Sequence, residues 1–532
     1  MTRGGVLYHL ARADFLQRVR SYGFLVTLGF TAYFCYLCLP PQHAGYVTMR
    51  MGGHRGLYDS AYIGTLVSMQ VTLILSLAGF YVVKNAVERD LRTGVGQILA
   101  TTPLTGTLYT VGKAISNFAV LAAMVATIAA AAAAMQLARH EDTAIHVWQL
   151  AAPFLFIVLP VMAAVAGIAV LFEVIPPLRG GGGNAVYFFV WIFATALLAG
   201  MLELPKSLQG ADLVAASLVI PSVLSACDAT FAGCGSARDF SLGFTFGPEH
   251  FDLTTFQWTG IHWNLGILLT RLPWFALGAG FALLAGALFH RFDPARERRG
   301  HAPAPEIDAP EEQKTAASTK AVHATLSRLA DSERRFQFAA LIRGELRIAL
   351  HGVNRGWYLL ALVLAAGSLA APVVVARYCL AAAWICPLLI WSGLGTREAS
   401  EGTHQLVFST PHPLRRQLPA CLLAGLAVAV LTGSGAAVRL LIAGDMGGLA
   451  AWCTGALFIP TLALALGVWS GSSKLFEVVY LVLWYIGPAN QFAALDFTGA
   501  SGSSARTTAT FLAVTAALGA FALAGRQRPI RQ

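Results

Sequence analysis

Glu-Arg-Asp-Leu-Arg-Thr-Gly-Val-Gly-Gln-Ile-Leu-Ala-Thr-Thr-Pro, residues 88–103, is a polar interruption between two long apolar runs, and the pattern returns later in the chain. Residues 397–411 read Arg-Glu-Ala-Ser-Glu-Gly-Thr-His-Gln-Leu-Val-Phe-Ser-Thr-Pro. Without a gap, Arg89 meets Arg397, Asp90 meets Glu398, Gly94 meets Gly402, Gln97 meets Gln405, and Ile98 meets Leu406. Thr102-Pro103 likewise meets Thr410-Pro411. In the first copy Val87, Leu91, Val95 and Ile98 share one helical stripe, and Glu88, Arg89, Asp90 and Arg92 fall off it into water. The spacing predicts twin amphipathic helices on the inner membrane surface, each stopped by a proline that cannot continue it.

The flanking runs set the fold class. Hydrophobic residues make up 56% of the 532-residue chain and charged residues 12%, about half the charge of a soluble domain. Apolar runs long enough to cross a bilayer core as helices recur from end to end. They are expected at 23–39, 61–83, 108–137, 151–172, 185–202 and 264–289, then at 357–376, 379–395, 418–438, 447–470, 475–491 and 507–525. The expected fold is an all-α polytopic membrane protein of about 12 transmembrane helices, arranged as two parallel six-helix repeats. An amphipathic surface helix precedes each repeat. In the first, Leu7, Ala11, Phe15 and Val19 form the stripe, with Arg12, Asp14, Arg18 and Arg20 off it; the second, near Val322–Leu350, carries Arg343, Glu345 and Arg347. Arg12-Ala-Asp14 and Arg343-Gly-Glu345 match in turn. Residues 1–294 and 322–532 are read as the two units. Residues 295–321, with Pro303, Pro305 and Pro310 among acids, form a linker that cannot bury a core.

A net charge of +10 would suggest nucleic acid in a soluble chain; here it is read by membrane side, and no nucleic-acid partner is expected. Of the 37 Lys and Arg, this topology leaves outside only Arg50, Arg55, Arg139, Lys206, Arg238, Arg271, Arg377, Arg439 and Arg506. Both termini then face the cytoplasm. Residues 203–262 are placed outside as an irregular segment. They hold Cys227 and Cys234, for which both a local disulfide and two free thiols stay open. The other six cysteines lie in or beside apolar runs and act as small hydrophobes.

Catalytic patterns are weak. Gly112-Lys113 lacks the Ser/Thr and glycine spacing of a phosphate loop, and Gly180 to Gly183 has no lysine after it and reads as a flexible turn. His140-Glu141 and His290 with Asp293 read as solvated span ends. Arg271, Glu203 and Arg439 are expensive charges near spans. Snorkelling to water explains them most simply, and Arg271 is the candidate for lining a substrate path.

The surface helix before the first span, the stretch Gly94…Gln97-Ile98-Leu99-Ala100-Thr101-Thr102-Pro103-Leu104 with Gly112-Lys113 beyond it, and the six-span count resemble the ABC-2 type permeases, the membrane subunits of a class of ATP-driven exporters. The resemblance covers nearly the whole chain as two fused units. It implies a multi-pass cell-membrane transport subunit with no enzymatic activity or cofactor of its own, and ATP and Mg on a partner. Two ATP-binding cassette subunits would dock on coupling helices after the second span of each half. That role falls on Arg89, Asp90, Leu91, Gly94, Gln97 and Ile98, and on Arg397, Glu398, Gly402, Gln405 and Leu406. The second copy departs from the pattern, with Pro413-Leu-Arg415-Arg416 where Gly-Lys would follow. A twelve-span secondary transporter driven by an ion gradient shares the six-plus-six plan, and a non-transporting membrane scaffold is a third reading.

Overall fold

In the computed structural model the described residues are 3–20, 22–41, 44–200, 209–231, 233–234, 240–246, 253–289, 338–351, 353, 355–403, 407, 413–489, 492–502 and 504–531. The chain divides into two compact units, Met1–Ala304 and Pro305–Gln532.

The first unit opens with α1 (Arg3–Val19) and α2 (Tyr22–Cys38), then a hairpin of β1 (Tyr46–Met51) and β2 (His54–Gly56). A long helix α3 (Ser60–Val83) leads to two short ones, α4 (Ala86–Arg92) and α5 (Val95–Ala100), and then to α6 (Gly106–Arg139). The next passage runs through α7 (Val147–Pro153), a π-turn at Phe154–Val158 and α8 (Leu159–Val174). After the short α9 (Pro176–Arg179) come α10 (Gly181–Gly200), α11 (Ala216–Thr230), β3 (Phe240–Phe246), β4 (Thr254–Phe256) and α12 (Leu265–Leu288).

The second unit holds α13 (Phe338–Leu350), α14 (Arg355–Ala370), α15 (Val373–Ile385), α16 (Leu388–Ser392) and α17 (Arg397–Ser400). The long helices α18 (Pro413–Ile442) and α19 (Met446–Ser470) follow, then α20 (Ser473–Trp484) with a π-turn at Tyr485–Ala489, and α21 (Ala505–Arg531).

Among the described residues, seven helices are long and apolar enough to cross a membrane, and shorter apolar helices accompany them. Some leave large apolar side chains uncovered: Leu265, Leu269 and Leu272 on α12, Leu359 and Leu362 on α14. A bilayer covers such a surface without cost, whereas water does not.

Four expectations are corrected. The outer region of the first unit is not an irregular loop, because β1 and β2 join β3 and β4 in a four-stranded sheet of order β3-β1-β2-β4. β1 pairs antiparallel with β3 from Tyr46↔Phe246 to Met51↔Phe240, and β2 runs parallel to β4. Residues 88–103 form two helices rather than one, since Gly94 stands at φ 74° and breaks the run. In the second unit the apolar runs divide at Ala371-Pro372 and Cys386-Pro387, so Arg377 lies inside α15. Gly181 to Gly183 begin α10, and a Cβ at Gly183 would meet the Leu178 carbonyl at 1.9 Å. The run is thus the start of a helix that packs closely at Gly183. Residues 295–321 and 322–337 lie outside the described residues.

Candidate functional site: an ionic joint in each unit

The joint of the first unit begins at Asp14. Its i, i+4 neighbours suggest a wet residue, yet it is only 5% exposed. Arg18, one turn on, pairs with it at 3.0 Å and donates to the Val83 carbonyl at the end of α3. From α6, Lys113 Nζ reaches Asp14 Oδ1 at 2.9 Å and Ser116 Oγ donates to Oδ2 at 2.7 Å. Arg89 of α4 completes the set by pairing with Asp14. Burial alone would raise the Asp14 pKa. The cations Arg18, Lys113 and Arg89 and the Ser116 hydroxyl outweigh burial and hold the carboxyl at about 2. One carboxylate thus ties α1 to the polar interruption and to α6.

Asp90, beside Arg89, is buried as well. Lys113 Nζ lies 2.8 Å from its Oδ2 and Tyr109 donates to the same oxygen at 2.7 Å. Lys113 therefore bridges Asp14 and Asp90, and three cations with two carboxylates share one largely buried cluster with Arg89 at its rim. A third acid, Glu173 at the end of α8, is 1% exposed. It accepts from the backbone N–H groups of Asn85, Ala86, Val87 and Glu88 at 2.6–3.1 Å. Those are the unsatisfied donors of the α4 N-terminus, and a carboxylate there also meets the positive end of the helix dipole.

Asp90 turns inward, and some apolar side chains of the stretch are exposed. Val95 is 42% and Ile98 67% exposed, with Gln97 exposed between them, whereas Val87 is buried. The expected stripe is thus split: Val87 is buried beside the joint to which Asp90 belongs, whereas Val95 and Ile98, with Gln97, are exposed. Leu91 is half-buried.

The second unit has a joint of the same plan. Arg397 of α17 lies 3.8 Å from Glu345 of α13. Glu398 accepts from Gln417 at 2.8 Å. Gln417 stands nineteen residues after Glu398, as Tyr109 stands after Asp90. Gly402 sits at φ 65°, as Gly94 sits at 74°. The cation differs: Cys421 occupies the position of Lys113 and lies against Glu345, and Arg526 near the end of α21 grips both oxygens of Glu398 at 2.9 Å. Gln405, Leu406, Thr410 and Pro411 lie outside the described residues.

No protein-family model, curated protein or solved structure matches this chain.

Other sequence candidates find different places. Arg271 does not snorkel; it is 2% exposed. Its Nε donates to Phe156 O at 3.1 Å, Nη1 to Gly210 O and Asp212 O at 2.6 and 2.5 Å, and Nη2 to Ile157 O and Leu213 O at 3.0 and 3.3 Å. All five guanidinium donors are used, which leaves none for a passing substrate. Phe156 needs this help because Pro160, four residues on, has no N–H to give its carbonyl. Glu141 is no solvated cap: Arg55 of β2 grips both its oxygens at 2.9 and 2.5 Å, and the Tyr58 N–H adds a third bond. Cys227 and Cys234 form a disulfide closing the turn after α11, with Cys234 Sγ 4.0 Å from Met51 O of β1. Glu203, His290 and Asp293 lie outside the described residues. Among the described residues no group of three or more His, Cys, Asp or Glu could hold a metal ion.

Proposed function

We propose that this chain is the membrane permease of an ATP-driven exporter of the ABC-2 type, with two six-span units fused in one chain and docking sites for two ATP-binding subunits. The observation that carries this reading is the joint. An Arg–acid pair after the second long helix is lashed to the acid of the preceding surface helix, Asp14–Arg89 in one unit and Glu345–Arg397 in the other. A stretch that only connected two spans across lipid headgroups would have no use for such an anchorage. A stretch that a partner must push needs one, because force is transmitted through rigid contacts and lost in compliant ones.

Orientation has independent support. The disulfide and sheet lie at the start of α3 and the joint at its end, and a helix of 24 residues is about 36 Å long. A persisting disulfide favours the oxidising side, and on this reading the joint faces the cytoplasm, where ATP is. Val95 and Ile98, rimmed by Gln97, Thr93 and Thr101, then form a small apolar knob directed at the partner.

The test is recovery of partners with the purified chain. An ATP-binding protein is expected at two copies per chain with the wild type and at one copy with Ile98→Glu, whose side chain is exposed and whose fold should survive. Charge reversal at Asp90 or Glu398 would be a poor test, because it breaks the joint itself. Full transport by the chain alone, driven by an ion gradient in vesicles, would overturn the proposal in favour of a secondary transporter.

A further inference from the structure

The surface helix of the second unit carries a groove that the joint does not use. On α13, Arg343, Arg347 and His351 follow one another at four-residue spacing along one exposed face, and Leu346 and Leu350 flank them. Together these five residues line an open groove of about 470 Å³. The only acid of the helix, Glu345, points the other way, towards Arg397 and Cys421. Among the described residues neither Arg343 nor Arg347 forms an ion pair. Two like charges one turn apart disfavour a helix, so an anion seated between them would relieve that repulsion.

The depth of the groove narrows the choice of anion. α13 ends at Leu350 and the apolar helix α14 begins at Arg355, so the groove lies where the chain turns into the bilayer. A basic face beside leucines at that depth suits a molecule charged at one end and oily at the other.

We propose that this groove binds the phosphate headgroup of an anionic phospholipid, with the guanidinium groups of Arg343 and Arg347 on the phosphate oxygens and an acyl chain along Leu346 and Leu350. Arginine suits this role because its planar fork of donors matches phosphate oxygens. The proposal depends on the membrane placement of the chain and not on the exporter reading, so either can fail without the other. It also separates the two surface helices: in α1 the position of Arg347 is taken by Leu16, which breaks the basic row.

The experiment is native mass spectrometry of the full chain in detergent, given equal amounts of phosphatidylglycerol and phosphatidylcholine. Wild type should retain phosphatidylglycerol in preference. Arg343→Gln with Arg347→Gln should cut that preference roughly thirtyfold, from the attraction typical of two basic groups at a lipid surface. Arg343→Lys with Arg347→Lys should keep most of it, and Arg12→Gln on α1 with Arg20→Gln just beyond it should leave it unchanged. On the wild-type chain, short-chain phosphatidylglycerol should displace the bound lipid and inorganic phosphate should not. An unaltered preference in the double glutamine variant, or equal displacement by inorganic phosphate, would overturn the assignment.

Discussion

Asp14 receives Arg18, Arg89, Lys113 and Ser116 on its two oxygens, and its charge state sets a pH dependence. Its folded pKa of about 2 lies below the ordinary 3.8. The stabilisation is therefore complete above about pH 4 and lost as pH falls towards 2. Asp14→Asn should lower stability at neutral pH by about 2 kcal/mol and flatten the acid limb; thermal unfolding in detergent, followed across that window, reads both. An unchanged acid limb in the variant would assign the titration to another carboxylate. Arg271 makes the complementary case, a buried cation with no carboxylate among its hydrogen-bond acceptors. Lysine in its place supplies three donors for five carbonyls, so Arg271→Lys should destabilise by about 2–4 kcal/mol. If Arg271 lined a substrate path instead, the lysine variant would fold as well as wild type and only transport would change.

Among elements, α4 depends most on a neighbour. Asn85 precedes it at φ 104°, no side chain of its own sequence caps it, and Glu173 from α8 takes up its free N–H groups. Glu173→Gln keeps the shape but removes the charge and turns an NH₂ group towards donors. A loss of about 2 kcal/mol is expected, with faster hydrogen exchange at residues 86–92 as the local readout. The long helices were legible because one solvent property, the length of an apolar run, decides them. α3, α6 and α12 lie within a few residues of the runs read from sequence. The polar interruption was legible as a repeated pattern, but its facing was not. Periodicity counts every charge as wet, and Asp14, Asp90 and Glu173 are dry because their partners lie 75 to 99 residues away or converge from another helix. The sheet escaped for a related reason: its strands are three to seven residues long, and β1 finds its partner β3 nearly two hundred positions later. What did carry signal was Gly94 aligned with Gly402. A glycine kept inside an otherwise helical pattern marks a backbone turn that side chains resist, and both stand at positive φ.

At the scale of the whole molecule, the two joints share a plan while drawing their cation from different places, Lys113 from the third long helix of one unit and Arg526 from the last helix of the other. Cys421 stands where Lys113 stands in the first unit, and the half-buried Glu398 is held by both oxygens from Arg526 instead. Arg526 replaces what that position lost. Its neutral variant Arg526→Gln should therefore loosen the second joint alone, and adding Cys421→Lys to it should restore part of the stability, a coupling that a double-mutant cycle measures directly. Additive effects of the two changes would mean that Lys at 421 does not reach Glu398. The same pair of joints bears on transport. On the exporter reading each ATP-binding subunit drives one unit, and transport needs both. Ile98→Glu disables docking on the first unit and leaves the second intact. Transport by that single variant should then fall to a small fraction of wild type, not to half, while ATP turnover by whatever subunit remains bound continues. Transport assayed in vesicles beside phosphate release separates the outcomes: half-rate transport would mean two independent pathways, and a proportional loss of both activities would mean that the knob at Val95 and Ile98 governs assembly and not coupling.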